Sequence, residues 1–177
     1  MIGQCVVVMP AYHAASTLKR TVRELPEIVD ETILVEGRSN DGTAPIAQKL
    51  GVKALLYDRK YSYGRNQQTL CHEAVAAEAD GVAMVHPDYQ YTPLLETGMA
   101  SMTTYGYDVV LGSKILVGGA RTGDIPLHEY LANRKLTAFH NVVSGAKLSE
   151  YHAGFSAFSK AVALNLPLVE NSDDFVF

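Results

Sequence analysis

The sequence predicts an α/β fold in three layers, with a central, mostly parallel sheet flanked by helices. Three observations predict it. Apolar runs alternate with helix-period patterns along most of the chain, which marks successive βα units. Two of these runs, Val6-Val7-Val8-Met9-Pro10-Ala11-Tyr12 and Val82-Ala83-Met84-Val85-His86-Pro87-Asp88, stop abruptly at turn or polar residues. The chain has 177 residues, of which 47% are hydrophobic and 19% charged, enough for one domain (1–177) with a sizeable core.

The elements follow in order. Gln4 to Met9 is the first strand. Ser16 to Leu25 is a helix with Leu18, Val22 and Leu25 on one face, ended by Pro26. Thr32 to Glu36 is the second strand. Asp41 caps a helix that carries Pro45 in its first turn and runs to Leu50, with Gly51 after it. Val52 to Tyr57 is a strand, Arg65 to Ala79 a helix and Gly81 to Val85 a strand. Pro93 to Tyr105 is a helix and Val109 to Gly112 a strand. Gly118, Gly119 and Gly123 mark a flexible loop before a helix from Leu127 to Val143, and Phe155 to Ser159 reads as a last strand. The chain stops inside an apolar alternation, Phe175-Val176-Phe177, which is read as truncation at the C-terminus.

Composition narrows the function. Net charge is −4 with no block of five like charges, which argues against broad nucleic-acid binding. Cys5 and Cys71 are far apart in sequence and read as two reduced, buried thiols. No secretory signal and no bilayer-spanning run is visible, so a cytoplasmic location is expected, with peripheral contact at the inner face of the membrane left open.

The residues with chemical potential lie at the ends of strands, where open α/β sheets bind ligands. After the first strand, Tyr12 offers an aromatic face that can stack on a base; a core tyrosine in an ordinary turn is an equal reading. After the second, Glu36 offers a carboxylate to a ribose or base edge. Asp41 reads as structural, through capping. Gly64 permits a tight turn before a helix whose N-terminus favours an anion, and Arg65 can grip phosphate. After the fourth strand come His86 and Asp88; a hard cation such as Mg²⁺ prefers oxygen ligands, and imidazole suits softer transition metals. An isolated Asp after a strand is also a common turn residue.

In wording and order these segments resemble family 2 glycosyltransferases with the GT-A fold, and most closely the polyprenyl- and dolichyl-phosphate sugar synthases. Pro10-Ala11-Tyr12 is a hallmark of that family, which usually has Asn where this chain has His13. Glu36-Gly37-Arg38-Ser39-Asn40-Asp41-Gly42-Thr43 is similar to its Asp-Asp-Gly-Ser-x-Asp-Gly-Thr, with one acid lengthened, one lost and a glycine replaced by arginine. Tyr63-Gly64-Arg65-Asn66 resembles the stretch beneath the nucleotide diphosphate. His86-Pro87-Asp88 stands where the family has Asp-x-Asp, and Tyr89-Gln90-Tyr91-Thr92-Pro93 where it has Leu-Gln-His-Pro-Pro. Gly112-Ser113-Lys114 resembles its Gly-Ser-Arg, and Glu150 to Phe158 its Asp-x-x-x-Gly-Phe-Arg-Ala-Phe. Arg134, on a helix, reads as solvated.

The resemblance implies transfer of a hexose from a nucleoside diphosphate sugar, with inversion, to a polyprenyl phosphate or a cell-envelope glycan. Pro10, Ala11, Tyr12, Glu36, Arg65, Asn66 and Lys114 would hold the donor. Asp88 and His86 would hold Mn²⁺ or Mg²⁺, and Asp88 would be catalytic. A hydroxyl acceptor also needs a general base, for which Asp173 and Asp174 are the candidates; an ionised lipid phosphate needs none. A homodimer is left open. The competing reading is a non-catalytic binding or scaffold domain with a degenerate donor site. A sugar nucleotidyltransferase ranks lower, since no glycine-rich basic loop follows the first strand. A dinucleotide dehydrogenase ranks lower still, for want of Gly-x-Gly-x-x-Gly there.

Overall fold

The computed structural model describes residues 3–57, 63–89, 91–113, 127–151, 154–167 and 170. The elements are β1 (Cys5–Ala11), α1 (Leu18–Arg23), β2 (Glu31–Glu36), α2 (Thr43–Lys49), β3 (Lys53–Leu56), α3 (Tyr63–Ala76), β4 (Gly81–Met84), a 3₁₀ turn (Pro93–Leu95), α4 (Glu96–Thr104), β5 (Val109–Leu111), α5 (Leu127–Ser144), β6 (Ser156–Ser159) and α6 (Lys160–Asn165). They build one six-stranded sheet in the order β3-β2-β1-β4-β6-β5. The pairs β1–β2, β1–β4 and β2–β3 are parallel, and β6 runs antiparallel to β4 with Met84 opposite Ser156. The expected mostly parallel, helix-flanked sheet is therefore the one found.

Alternation along the strands sorts the core into two faces. Val6 and Val8 of β1, Ile33 and Val35 of β2, and Val82 and Met84 of β4 form one buried cluster with Leu70 and Ala74 of α3 and Ala163 of α6. Gly81 and Ala83 point the other way. A Cβ on Gly81 would lie 2.9 Å from Thr103 Oγ1 of α4, so only glycine lets that helix come so close. Cys5 and Cys71 are both free and buried, as the sequence implies.

Four details differ from the sequence reading. First, β1 continues through Pro10 to Ala11, with Pro10 opposite Val35 and Ala11 opposite Glu36 of β2. Proline is tolerated because Val8 and Pro10 face the β4 side, and the ladder to β4 ends at the bond from Val85 N–H to the Val8 carbonyl. The donor that proline lacks has no strand opposite it. Second, Gly42, not Asp41, takes the N-cap position of α2, at φ 90°. Third, α1 is about a turn shorter than its pattern, since residues 15–17 form a turn that leads into it and it ends at Arg23. Fourth, α6 was not expected; Ser159 starts it by accepting from the Val162 amide at 3.3 Å.

The chain divides into two compact units, residues 1–110 with 156–177, and residues 111–155. The first holds all of β1 to β4, β6 and the helices packed on them. The second is α5 with the segment that returns along it: Asn141 bonds both the amide and the carbonyl of Leu148, and the Tyr151 hydroxyl donates to Asn141 Oδ1.

Candidate donor-binding site

The loops after β1 and β2 are stitched together by side chain to backbone bonds. The His13 amide donates to Ser39 Oγ at 2.8 Å, the Ala14 amide to Thr43 Oγ1 at 2.9 Å and the Ala15 amide to Asp41 Oδ2 at 3.0 Å. Asp41 Oδ1 also accepts from the Thr43 amide and hydroxyl. These donors, the Thr43 hydroxyl first, hold the Asp41 carboxyl below the ordinary carboxylate range. Asp41 is thus structural, as its spacing suggests, from one residue before the N-cap.

Glu36 lies at the end of β2 and is buried. Its Oε2 accepts from the Arg38 amide at 2.9 Å and its Oε1 from the Ser39 amide at 2.5 Å. The carboxylate organises its own loop; each oxygen retains a lone pair for a further donor. Arg38 has φ 64° and His13 φ 53°. These are the places where the resembled family carries Gly and Asn, the two residues that enter the left-handed region most readily.

Tyr12 is exposed and its ring stacks on that of His13, centroids 4.2 Å apart. Gly37 neighbours both Tyr12 and Asn66: a Cβ built on it would lie 3.7 Å from the Tyr12 ring and 3.9 Å from Asn66 Nδ2. Asn66, in the first turn of α3, is buried, and its Oδ1 has no hydrogen-bond partner. An orphaned buried acceptor costs about 1–3 kcal/mol unless something donates to it. Arg65, one residue earlier, is exposed and donates to Gln68 Oε1 at 3.3 Å. It also stands at one edge of a cleft of about 380 Å³ between α3 and α6, whose other walls include His72, Val75 and Leu164.

At the end of β4, His86 is half-buried, Pro87 buried and Asp88 exposed. The Thr21 hydroxyl of α1 donates to the Pro87 carbonyl at 3.2 Å. Tyr89 has φ 64°, and its hydroxyl donates to the Glu24 carboxylate. The Arg20 guanidinium lies 3.8 Å from the Tyr89 ring centroid and 3.0 Å from Glu24 Oε1. The bonds from Tyr89 and Arg20 hold the Glu24 carboxyl low, and Glu24 in turn raises the Tyr89 phenol. This trio was missed from the sequence; the only signal was the i, i+4 spacing of Arg20 and Glu24.

Among the described residues no three His, Cys, Asp or Glu side chains converge on a possible metal position. An exposed carboxylate and an imidazole two residues apart suit a cation completed by donor-phosphate oxygens and water. In the second unit, Glu150 is buried and accepts from Ser113 Oγ at 3.1 Å and Asn133 Nδ2 at 2.9 Å, while Arg134 is exposed. Pro10 and Ala11 lie buried within β1. Gln90, Lys114, Asp173, Asp174 and the loop glycines 118, 119 and 123 lie outside the described residues.

Known proteins are similar to this chain in sequence and in fold. Low-salt glycan biosynthesis hexosyltransferase Agl6 of Haloferax volcanii is 28% identical over 162 residues, 87% of this chain and 38% of its own length. Glucosyl-3-phosphoglycerate synthase from Mycobacterium tuberculosis, crystallised with Mn²⁺ and UDP-glucose, matches with a TM-score of 0.68 at 21% identity, over 90% of this chain and 57% of that one. The same enzyme with Mn²⁺, UDP and glucosyl-3-phosphoglycerate matches with a TM-score of 0.63 at 18% identity, over 90% and 58%. This chain therefore spans about two-fifths of the curated relative and under three-fifths of the solved ones. The fold is the GT-A fold expected from the motifs. Residues 6–166, most of the sequence, match the family described as glycosyl transferase family 2, and the chain belongs to that family.

Proposed function

We propose that this chain is the donor-binding and catalytic domain, residues 1–177, of an inverting glycosyltransferase that moves a hexose from a nucleoside diphosphate sugar to an acceptor. The observation that carries the reading is that Gly37 neighbours both the Tyr12 ring and Asn66, whose Oδ1 is orphaned, at the end of the sheet where Asp88 follows β4. A buried acceptor without a partner beside an exposed aromatic face suits a ligand with both a donor group and a flat ring, as a nucleotide has. UDP is the first base to test, because the solved neighbours hold UDP and UDP-glucose.

Tyr12 stacks on the base, and Glu36 accepts from the ribose with the lone pairs its loop leaves over. Arg65, with Asn66 next to it in α3, offsets charge on the diphosphate, and Lys114 is the second cation for that charge. Asp88 and His86 hold Mn²⁺ or Mg²⁺, which when bound stabilises the negative charge that develops on the leaving diphosphate. For a hydroxyl acceptor, Asp173 or Asp174 takes the proton; a polyprenyl phosphate brings its own ionised oxygen. A lipid acceptor places the enzyme in the cytoplasm at the inner membrane face, and a homodimer is compatible with it. No described helix is long and apolar enough to cross a membrane.

Titration calorimetry with UDP and GDP, each with and without Mn²⁺, tests the reading. Mn²⁺-dependent binding of one nucleotide, lost in Asp88→Ala, is expected. Absence of binding by folded protein would leave the non-catalytic alternative.

A further inference from the structure

Asp88 does not stand on a free loop. Both of its neighbours are tied to α1, the helix that follows β1. On one side the carbonyl of Pro87 accepts from the hydroxyl of buried Thr21. On the other, Tyr89 is clamped, with its ring under the Arg20 guanidinium and its hydroxyl on the Glu24 carboxylate. Arg20 and Glu24 also pair with each other at 3.0 Å, so the three side chains close a ring of contacts. Tyr89 meanwhile has φ 64°, a backbone state that a bulky residue takes up only when its surroundings impose it. Proline fixes φ on the other side of Asp88. The backbone on both sides of Asp88 is thus held by contacts to α1 and its C-cap residue. Where the resembled family has leucine, this chain has a tyrosine whose hydroxyl makes the second of those contacts.

We propose that Tyr89, held by Arg20 and Glu24, is a positioning residue that fixes the Asp88 carboxylate for a divalent cation, so that α1 sets the cation affinity of the site. The proposal rests on the reading of Asp88 given above. Tyr89 touches neither cation nor donor in this scheme; it acts through the backbone of the residue before it.

The test measures Mn²⁺ affinity at saturating UDP, by electron paramagnetic resonance of free Mn²⁺, and UDP affinity without metal by calorimetry. Tyr89→Phe keeps the ring beneath Arg20 and loses the hydroxyl. Mn²⁺ affinity is expected to fall about fivefold, the scale of one lost hydrogen bond, while metal-free UDP affinity and Tm stay at the wild-type values. Tyr89→Asn suits the left-handed backbone but loses ring and hydroxyl, and should fall further. Glu24→Met removes the acceptor at similar length, so it should match Tyr89→Phe, and the double variant should be no worse than either, because both remove the same contact. If Asp88→Ala abolishes the Mn²⁺ effect but Tyr89→Phe and Glu24→Met leave it intact, the clamp has no positioning role. If wild-type protein binds UDP with no Mn²⁺ dependence, the reading of Asp88 fails and the clamp's role with it. A parallel loss of metal-free UDP binding and Tm would make Tyr89 a general structural residue and would also overturn the proposal.

Discussion

Glu96 is the residue whose environment is most at odds with its chemistry. It is fully buried at the start of α4, and neither carboxylate oxygen has a hydrogen-bond partner. Burial pushes its pKa up to about 8. The folded protein therefore keeps a proton that the unfolded chain releases at an ordinary carboxylate pKa. Stability from this group is complete below about pH 4.5, falls as pH rises towards about 8, and is level above that. Glu96→Gln should remove the slope: its unfolding free energy should exceed that of wild type at pH 8.5, by on the order of a few kcal/mol, with a higher Tm, and converge with it near pH 4.5. Thermal melts across that range check it. Two glycines give the opposite pair of expectations. Gly37 has room for a Cβ, with its nearest neighbour at 3.7 Å, whereas one on Gly112 would lie 2.7 Å from the Phe155 ring. Gly37→Ala should change stability by less than about 1 kcal/mol, and Gly112→Ala should cost about 1–3 kcal/mol, both read from urea unfolding. The first result would show that the acid missing at Gly37 is absent for reasons other than space. The sequence named Gly37 as a departure from the family pattern. It could not reveal Glu96, because a single acid at a helix start ordinarily reads as a favourable, solvated charge at the dipole.

At the scale of elements, the start of α2 depends on a residue outside the helix. Asp41 accepts from the Thr43 amide and hydroxyl and from the Ala15 amide, so one carboxylate ties α2 to the loop after β1. Asp41→Ala should cost about 1 kcal/mol, the usual worth of a helix-capping carboxylate. Because its pKa is depressed in the folded state, that contribution is present above the ordinary Asp value and fades as pH falls through the folded value. The gap between wild type and variant should therefore narrow towards pH 2, which chemical denaturation at several pH values checks. Most strands and helices were legible, since their periodicity is local. Boundaries moved where tertiary bonds extended or cut an element. β1 runs on through Pro10 because β2 pairs with it that far, and α1 begins late because Ala14 and Ala15 donate to Thr43 and Asp41.

For the whole molecule, the decisive feature is β6. It comes late in the sequence, yet it lies between β4 and β5 and pairs antiparallel with β4 from Gly81 to Met84. It thereby covers the edge of the strand that leads to His86 and Asp88. A chain ending at residue 154 would leave that edge unpaired and remove Phe155, which is fully buried. Such a chain should lose cooperative unfolding and aggregate, as circular dichroism melts and sedimentation would show. The sequence by itself determined the α/β class, the order of the βα units and the strand ends on which Tyr12, Glu36 and Asp88 fall, because hydrophobic period and turn residues are properties of neighbouring positions. Only the tertiary structure decided that Gly37 neighbours both Tyr12 and Asn66, that Glu96 is buried, that α1 and its C-cap residue hold the turn of Asp88, and that β6 enters the sheet between β4 and β5. Each of those depends on packing between residues remote in sequence, and local pattern carries no record of which remote surfaces will meet.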